Sequence, residues 1–273
     1  MDDELYGMLT RLIALSPEGD GAINAMVRDT CGKALSLPPL PADEAPADEP
    51  AVADFAEQFA VDVSSLTPAQ RTSFTNTLGA KAFGITALIF VADYVPRVHA
   101  ALAALGLPPI PTPTAFDHET EPVELVLSGF VPMVGARRAL DPVLTEVIRL
   151  RGAAQHNCRL CKSRREVAAM DAGGSESLYD DIERYESSAL LDERQKAALR
   201  FVDAMIWTPS SIATEVAAGV RAHFGGAEAL EIALDVMRNA ANKIMVAFGA
   251  DAALVEHGVE LFVLGLDGQP VSA

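Results

Sequence analysis

Cysteine is scarce in this chain. Its 273 residues carry three, an odd number, which excludes the paired framework of a small disulfide-rich secreted scaffold. Basic residues are also few: 21 Lys and Arg against 38 Asp and Glu give a net charge of −17. Such a chain repels phosphate backbones and anionic lipid unless its cations gather in one place, so neither nucleic acid nor membrane is expected as a partner. No apolar run approaches the roughly 18–20 residues that cross a bilayer. The opening Met1-Asp2-Asp3-Glu4 is acidic where a signal peptide carries positive charge. A soluble, cytoplasmic protein is expected. Familiar catalytic signatures are missing as well. There is no P-loop, and Gly19-Asp20-Gly21 is followed by Asn24 where a dinucleotide fingerprint has its third glycine. Gly173-Gly174-Ser175-Glu176-Ser177 lacks the last glycine of a nucleophile elbow. His99, His118, His223 and His257 are scattered without metal-ligand spacing and read as surface or capping residues. No metal and no nucleotide cofactor is implied.

What is present is apolar and helical. Hydrophobic residues make up 50% and charged residues 22%, proportions that exclude wholesale disorder. Leu140, Val143, Leu144, Val147 and Ile148 recur at the spacing of one buried helix face. Leu199, Val202 and Ile206 form a second stripe. Val216, Val220 and Phe224 form a third, stopped by Gly225-Gly226. Residues 229–248 read as one long helix, with Glu231, Asp235, Arg238, Asn239, Asn242 and Lys243 on a single polar stripe. Period-2 alternation is rare, and 123–127 is the best strand candidate. The expected fold class is all-α. Prolines at 38, 39, 41, 46 and 50, and four more within 106–114, mark two irregular connections; Gly173-Gly174 marks a further break.

The chain also resembles itself. An offset of 146 residues sets 55–105 over 201–251 without a gap, with 8 of 51 positions identical. Phe55 falls on Phe201, Ser64-Ser65 on Ser210-Ser211, Gly79 on Gly225 and Ala87-Leu88 on Ala233-Leu234. This suggests two related helical units, 1–115 and 116–273, as against two unrelated amphipathic hairpins. The units are unequal, because Cys158 and Cys161 map onto Leu12 and Leu15.

Chemistry concentrates in 146–166. Cys158-Arg159-Leu160-Cys161 places two sulfurs at i, i+3, close enough on a helix to form a disulfide. Asn157 is a candidate N-cap, which would put Cys158 in the first turn, where a thiolate is favoured. Arg149, Arg151, Arg159, Lys162, Arg164 and Arg165 are six cations within 17 positions, and no acid lies between 147 and 165. This is the setting of a reactive thiol pair. The alternatives are a pair of buried small hydrophobes, or half of a zinc site with His156 and Cys31 as the remaining candidate ligands.

Glu146, eleven residues, then Cys158-x-x-Cys161 resembles the Glu-x11-Cys-x-x-Cys-x3-His motif of the AhpD-like alkylhydroperoxidase and carboxymuconolactone decarboxylase family. The resemblance covers roughly 137–252. It implies an AhpD-like helical fold and a thiol-dependent peroxidase, with Cys161 attacking a small hydroperoxide, Cys158 resolving it and Glu146 relaying protons. It also implies an external dithiol or a lipoyl-type adaptor protein as reductant. The motif's final histidine falls on Arg165, and the histidine often found between the cysteines falls on Leu160. Arginine stays charged, so Arg165 is expected to stabilise a thiolate and not to shuttle protons. His156 either substitutes for the missing histidine or is a surface residue beside a cap. Glu146 is either the relay acid or a solvent-facing i, i+3 partner of Arg149. The decarboxylase branch, acting on a small acidic substrate without need of the cysteines, is a second reading that the basic cluster suits. A non-catalytic helical oligomer module is a third. A homo-oligomer is expected, built on the apolar segments 85–105 and 229–248.

Overall fold

The computed structural model describes residues 2–273. Local capping sets many of its helix boundaries. Helix α1 (Asp3–Ala14) starts where Asp2 accepts the Leu5 N–H, and α2 (Gly21–Leu35) follows. Proline opens α3 (Pro50–Asp62) and α4 (Pro68–Leu78), the latter with a reciprocal Thr67–Gln70 capping box. The long α5 (Ala82–Leu105) contains Pro96 and ends at Gly106, whose φ of +69° suits glycine.

After the second proline-rich connection, a π-helical stretch (Glu124–Phe130) runs into α6 (Val131–Gly135). The strand expected at 123–127 is therefore helical. Its apolar residues Leu125 and Val126 are buried in the helical core, and among the described residues no strand pairs with them. Next come α7 (Pro142–Gln155), the one-turn α8 (Arg159–Lys162), β1 (Arg164–Glu166), α9 (Val167–Asp171) and α10 (Glu176–Asp180). Then follow α11 (Glu193–Trp207), α12 (Thr214–His223), α13 (Gly226–Ala240) and α14 (Lys243–Ala247). The long helix expected over 229–248 is thus broken in two by a turn at 241–242. Strands β2 (Glu260–Leu264) and β3 (Pro270–Ser272) join β1 in a small sheet ordered β1-β2-β3. The β1–β2 pairing is parallel and the β2–β3 pairing antiparallel. The protein is otherwise helical, as the periodicity indicates.

The element order repeats at the 146-residue offset. The 3-10 turns Val63–Ser65 and Pro209–Ser211 stand 146 apart, as do the first residues of α4 and α12 (214 − 68 = 146). Residues from both halves of the chain feed one main core, beside a smaller cluster around Val147, Tyr179 and Leu199. A single apolar cluster runs from Leu5 through Phe55, Phe90 and Phe130 to Phe201, Ile232 and Ala247.

Helix α5 lies at the centre of this core, with buried residues on every side along most of its length. Contrary to the reading that no apolar run is long enough, the helical run Pro68–Leu105 that contains it is long and apolar enough to cross a membrane by length and composition, yet most of its apolar window is covered by the protein itself. Helix α5 packs on α2, α3, α12 and α13. The two segments expected to form an oligomer interface, 85–105 and 229–248, are largely covered within one chain. The large apolar side chains that remain exposed lie mostly toward the C-terminus, among them Leu254, Leu261, Leu266 and Val271. The first proline-rich connection is tied down by buried Arg28, which donates to the carbonyls of Ile13 (3.0 Å), Leu15 (2.6 Å) and Pro41.

Candidate functional site

Helix α7 ends at His156, and Asn157 then adopts a left-handed φ of +51° that turns the chain back on itself. Asparagine tolerates that conformation better than most residues. The N-cap of α8 is therefore Cys158, displacing the expected Asn157: the Cys158 sulfur accepts the Cys161 N–H at 3.2 Å. With only one turn, α8 supplies little helix dipole. Cys158 and Cys161 are joined by a disulfide, their Cα atoms 5.3 Å apart. Cys31 is remote from them, fully buried at the Ala56 carbonyl, and burial pushes its thiol pKa up. No cluster of three or more metal-ligating side chains occurs among the described residues.

The two sulfurs are placed differently. Cys158 is 1% exposed and borders a void of about 10 Å3, which it shares with Arg149, His156, Asn239 and Asn242. Cys161, 7% exposed, borders that void and also an open pocket of about 130 Å3. Arg149, Arg164, Arg238, Asn239 and Asn242 line this pocket, and Phe262 and Pro270 of the small sheet close one side.

The remaining expected site residues are rearranged. Glu146 is completely buried, so it does not face solvent. Both its oxygens bond Arg149, at 2.6 and 2.7 Å, and one also accepts the Glu166 N–H. Arg149 in turn donates to the carbonyls of Cys161 (2.8 Å) and Arg164 (2.7 Å). Glu146 and Arg149 together clamp the cysteine turn at its exit.

Arg165 points elsewhere. It forms a bidentate pair with Glu176 at 2.7 and 2.9 Å and lies over the Tyr179 ring, and it does not line the pocket beside Cys161. Arg149 is the cation that borders the void shared by both cysteines. His156 is not a surface residue. It is 8% exposed, and its Nε2 lies 2.8 Å from the Tyr94 hydroxyl. Burial, then the charges of Lys243 and Arg97, hold its pKa well below the usual histidine value, so it is neutral at pH 7.

The basic cluster is largely neutralised by acids that arrive from elsewhere in the chain. Arg149 pairs with Glu146, Arg151 with Asp203, Arg159 with Asp251, Arg164 with Glu260 and Arg165 with Glu176, all within 2.8 Å. Among the described residues, the Lys162 ammonium bonds the neutral Asn157 side chain and no carboxylate. Asp251 also accepts the Arg159 N–H, and its carbonyl accepts the Leu160 N–H, so it anchors α8 to the chain after α14.

Behind His156 lies a buried ionic group absent from the sequence reading. Asp93 accepts from Arg97 at 2.8 Å and from Lys243 at 2.6 Å, and all three are at most 2% exposed. Lys243 also sits over the Phe59 and Tyr94 rings. The repeat offset carries a signal for this group: it maps Asp93 onto Asn239 and Arg97 onto Lys243, two polar pairs at i, i+4 on the central helices.

The chain is similar to two proteins of Mycobacterium tuberculosis, each described as uncharacterized. They are Rv2313c of strain ATCC 25618 / H37Rv and MT2376 of strain CDC 1551 / Oshkosh. Each is 53% identical to it over 274 residues, spanning 96% of both chains. No family model and no solved structure matches the chain.

Proposed function

The chain belongs to the family of these two Mycobacterium tuberculosis proteins, and we propose that it is a thiol-dependent oxidoreductase, a peroxidase of the alkylhydroperoxidase-like type, working through Cys158 and Cys161. The observation that carries this reading is the asymmetry of the pair: Cys161 opens onto a pocket while Cys158 waits behind it, 1% exposed. In the reduced protein, the Cys161 thiolate attacks the outer oxygen of a hydroperoxide. The O–O bond breaks, the alcohol leaves with a proton from solvent, and Cys161 becomes a sulfenic acid. The Cys158 thiol then attacks the Cys161 sulfur, water departs and the disulfide forms. An external dithiol, free or carried on a lipoyl-type adaptor, restores both thiols by exchange and becomes oxidised itself. The cytoplasm is the compartment that supplies such reductants.

The buried Glu146 is ion-paired on both oxygens, so in this reading it holds the cysteine turn and relays no proton. The test is peroxide consumption with a dithiol donor. Cys161→Ser is expected to abolish turnover. Cys158→Ser is expected to stop at a trappable sulfenic acid on Cys161. Equal residual turnover in both variants contradicts the proposal.

A further inference from the structure

The pocket beside Cys161 holds three guanidinium groups, but they are not equivalent. Arg149 is hydrogen-bonded by Glu146 at 2.6 Å, and Arg164 is in ionic contact with Glu260 at 2.8 Å, although its Nε and the Glu260 oxygen are not aligned as a hydrogen bond. Arg238 has no such match. Its side chain is 9% exposed, and the carboxylate nearest to it, Asp235, stands 3.8 Å away, beyond hydrogen-bond distance. Its buried Nε has no acceptor among the described residues, and the buried Nδ2 of the adjacent Asn239 has none either. A buried donor left unpaired costs about 1–3 kcal/mol, more when charged. Arg238 and Asn239 both line the open pocket next to Cys161, and among the described residues the Arg238 side chain donates no hydrogen bond, so a pocket ligand is the acceptor its guanidinium lacks.

Resting on the redox reading above, we propose that this pocket binds a carboxylate of the substrate, so that Cys161 acts on small disulfides or hydroperoxides bearing an anionic group. A volume of about 130 Å3 accommodates a short aliphatic acid. The electrostatics agree: burial raises the pKa of Asp235 to about 7, which leaves Arg238 incompletely compensated at neutral pH. Arg238 supplies the charge-assisted donor, and Asn239 supplies a neutral one. The specificity belongs to α13, outside the cysteine motif.

Two experiments test the site, and their failures are separable. In the first, binding to the disulfide form is followed by ligand-observed NMR with butyrate and with the uncharged butyramide. Butyrate alone is expected to bind. Arg238→Met and the near-isosteric Asn239→Asp are expected to weaken it about tenfold or more, the scale of one charge-assisted hydrogen bond. Arg238→Lys is expected to recover part of the loss. In the second, the reduced protein reacts with 4,4′-dithiodibutyrate, bis(2-hydroxyethyl) disulfide or cystamine. Cys161 displaces one thiol and Cys158 closes the ring to release the other, so the protein is oxidised as the probe becomes two thiols. The anionic probe is expected to react fastest and the cationic one slowest, with the anionic-to-neutral ratio falling about tenfold in Asn239→Asp. Equal rates for all three probes, with no preference for butyrate, overturn the anion site while leaving the redox reading intact. Butyrate binding without exchange of any probe upholds the anion site and overturns the redox reading.

Discussion

Glu146 and Arg149 show what single side chains do around the disulfide. The carboxylate is fully buried and its charge is balanced by one guanidinium, which also holds the two carbonyls at the exit of the cysteine turn. Removing one partner of a buried pair leaves an uncompensated charge, at about 3–5 kcal/mol. Arg149→Met is therefore expected to lower unfolding stability by that order, and Arg149→Met with Glu146→Leu to recover much of it. Urea denaturation of the three variants checks this. His156 gives a pH signature. Its native pKa lies below the ordinary value of 6.5, so unfolding takes up a proton in acid. Stability from this group is intact above pH 6.5 and falls as the pH drops below it; His156→Gln is expected to flatten that slope in denaturation measured from pH 7 to pH 5. Asp235 acts in the opposite sense. Its carboxyl is raised from 3.8 to about 7, so stability declines as pH rises through that window, and Asp235→Asn is expected to remove the decline. The sequence disclosed which residues cluster but not their charge state. Acids at 176, 203, 251 and 260 arrive only when the chain folds.

At the scale of elements, α5, α13 and α14 carry the main departure from amphipathic reading. The polar stripe of 229–248 has the spacing of a solvated face, yet Glu231, Asp235, Arg238 and Lys243 are buried. Periodicity reports which residues share a face; it does not report whether that face meets water or another polar group. Here Lys243 reaches Asp93 across 150 residues of chain, a pairing that no local pattern encodes. Asp93→Asn leaves Arg97 and Lys243 buried without their shared counterion. A loss of about 3–5 kcal/mol is expected, with partial recovery on adding Lys243→Met, read by thermal or urea unfolding. The apolar stripes at 140–148, 199–206 and 216–224, which fall largely on α7, α11 and α12, illustrate the legible part. The three short strands were invisible because each has only 3 to 5 residues and depends on a partner up to about 100 residues away.

For the molecule as a whole, the helical class follows from the apolar spacing, and the 146-residue offset matches the order of elements only over 63–105 and 209–247. What the sequence could not show is that both halves of the chain contribute to one apolar cluster, with α5 wrapped by elements of each half. Fragments 1–115 and 116–273 expressed separately are therefore expected to lack cooperative unfolding, and mixing them is expected to restore it, as calorimetry can show.

The central claim, a redox-active Cys158–Cys161 pair, is tested most directly by mass spectrometry of the fully reduced, unmodified protein after one equivalent of hydroperoxide, with and without subsequent dithiol. The account predicts loss of two hydrogens, a cross-link mapped to Cys158 and Cys161, and full reversal by dithiol, with Cys31 reduced throughout. A pair that stays reduced, or a cross-link that includes Cys31, contradicts it.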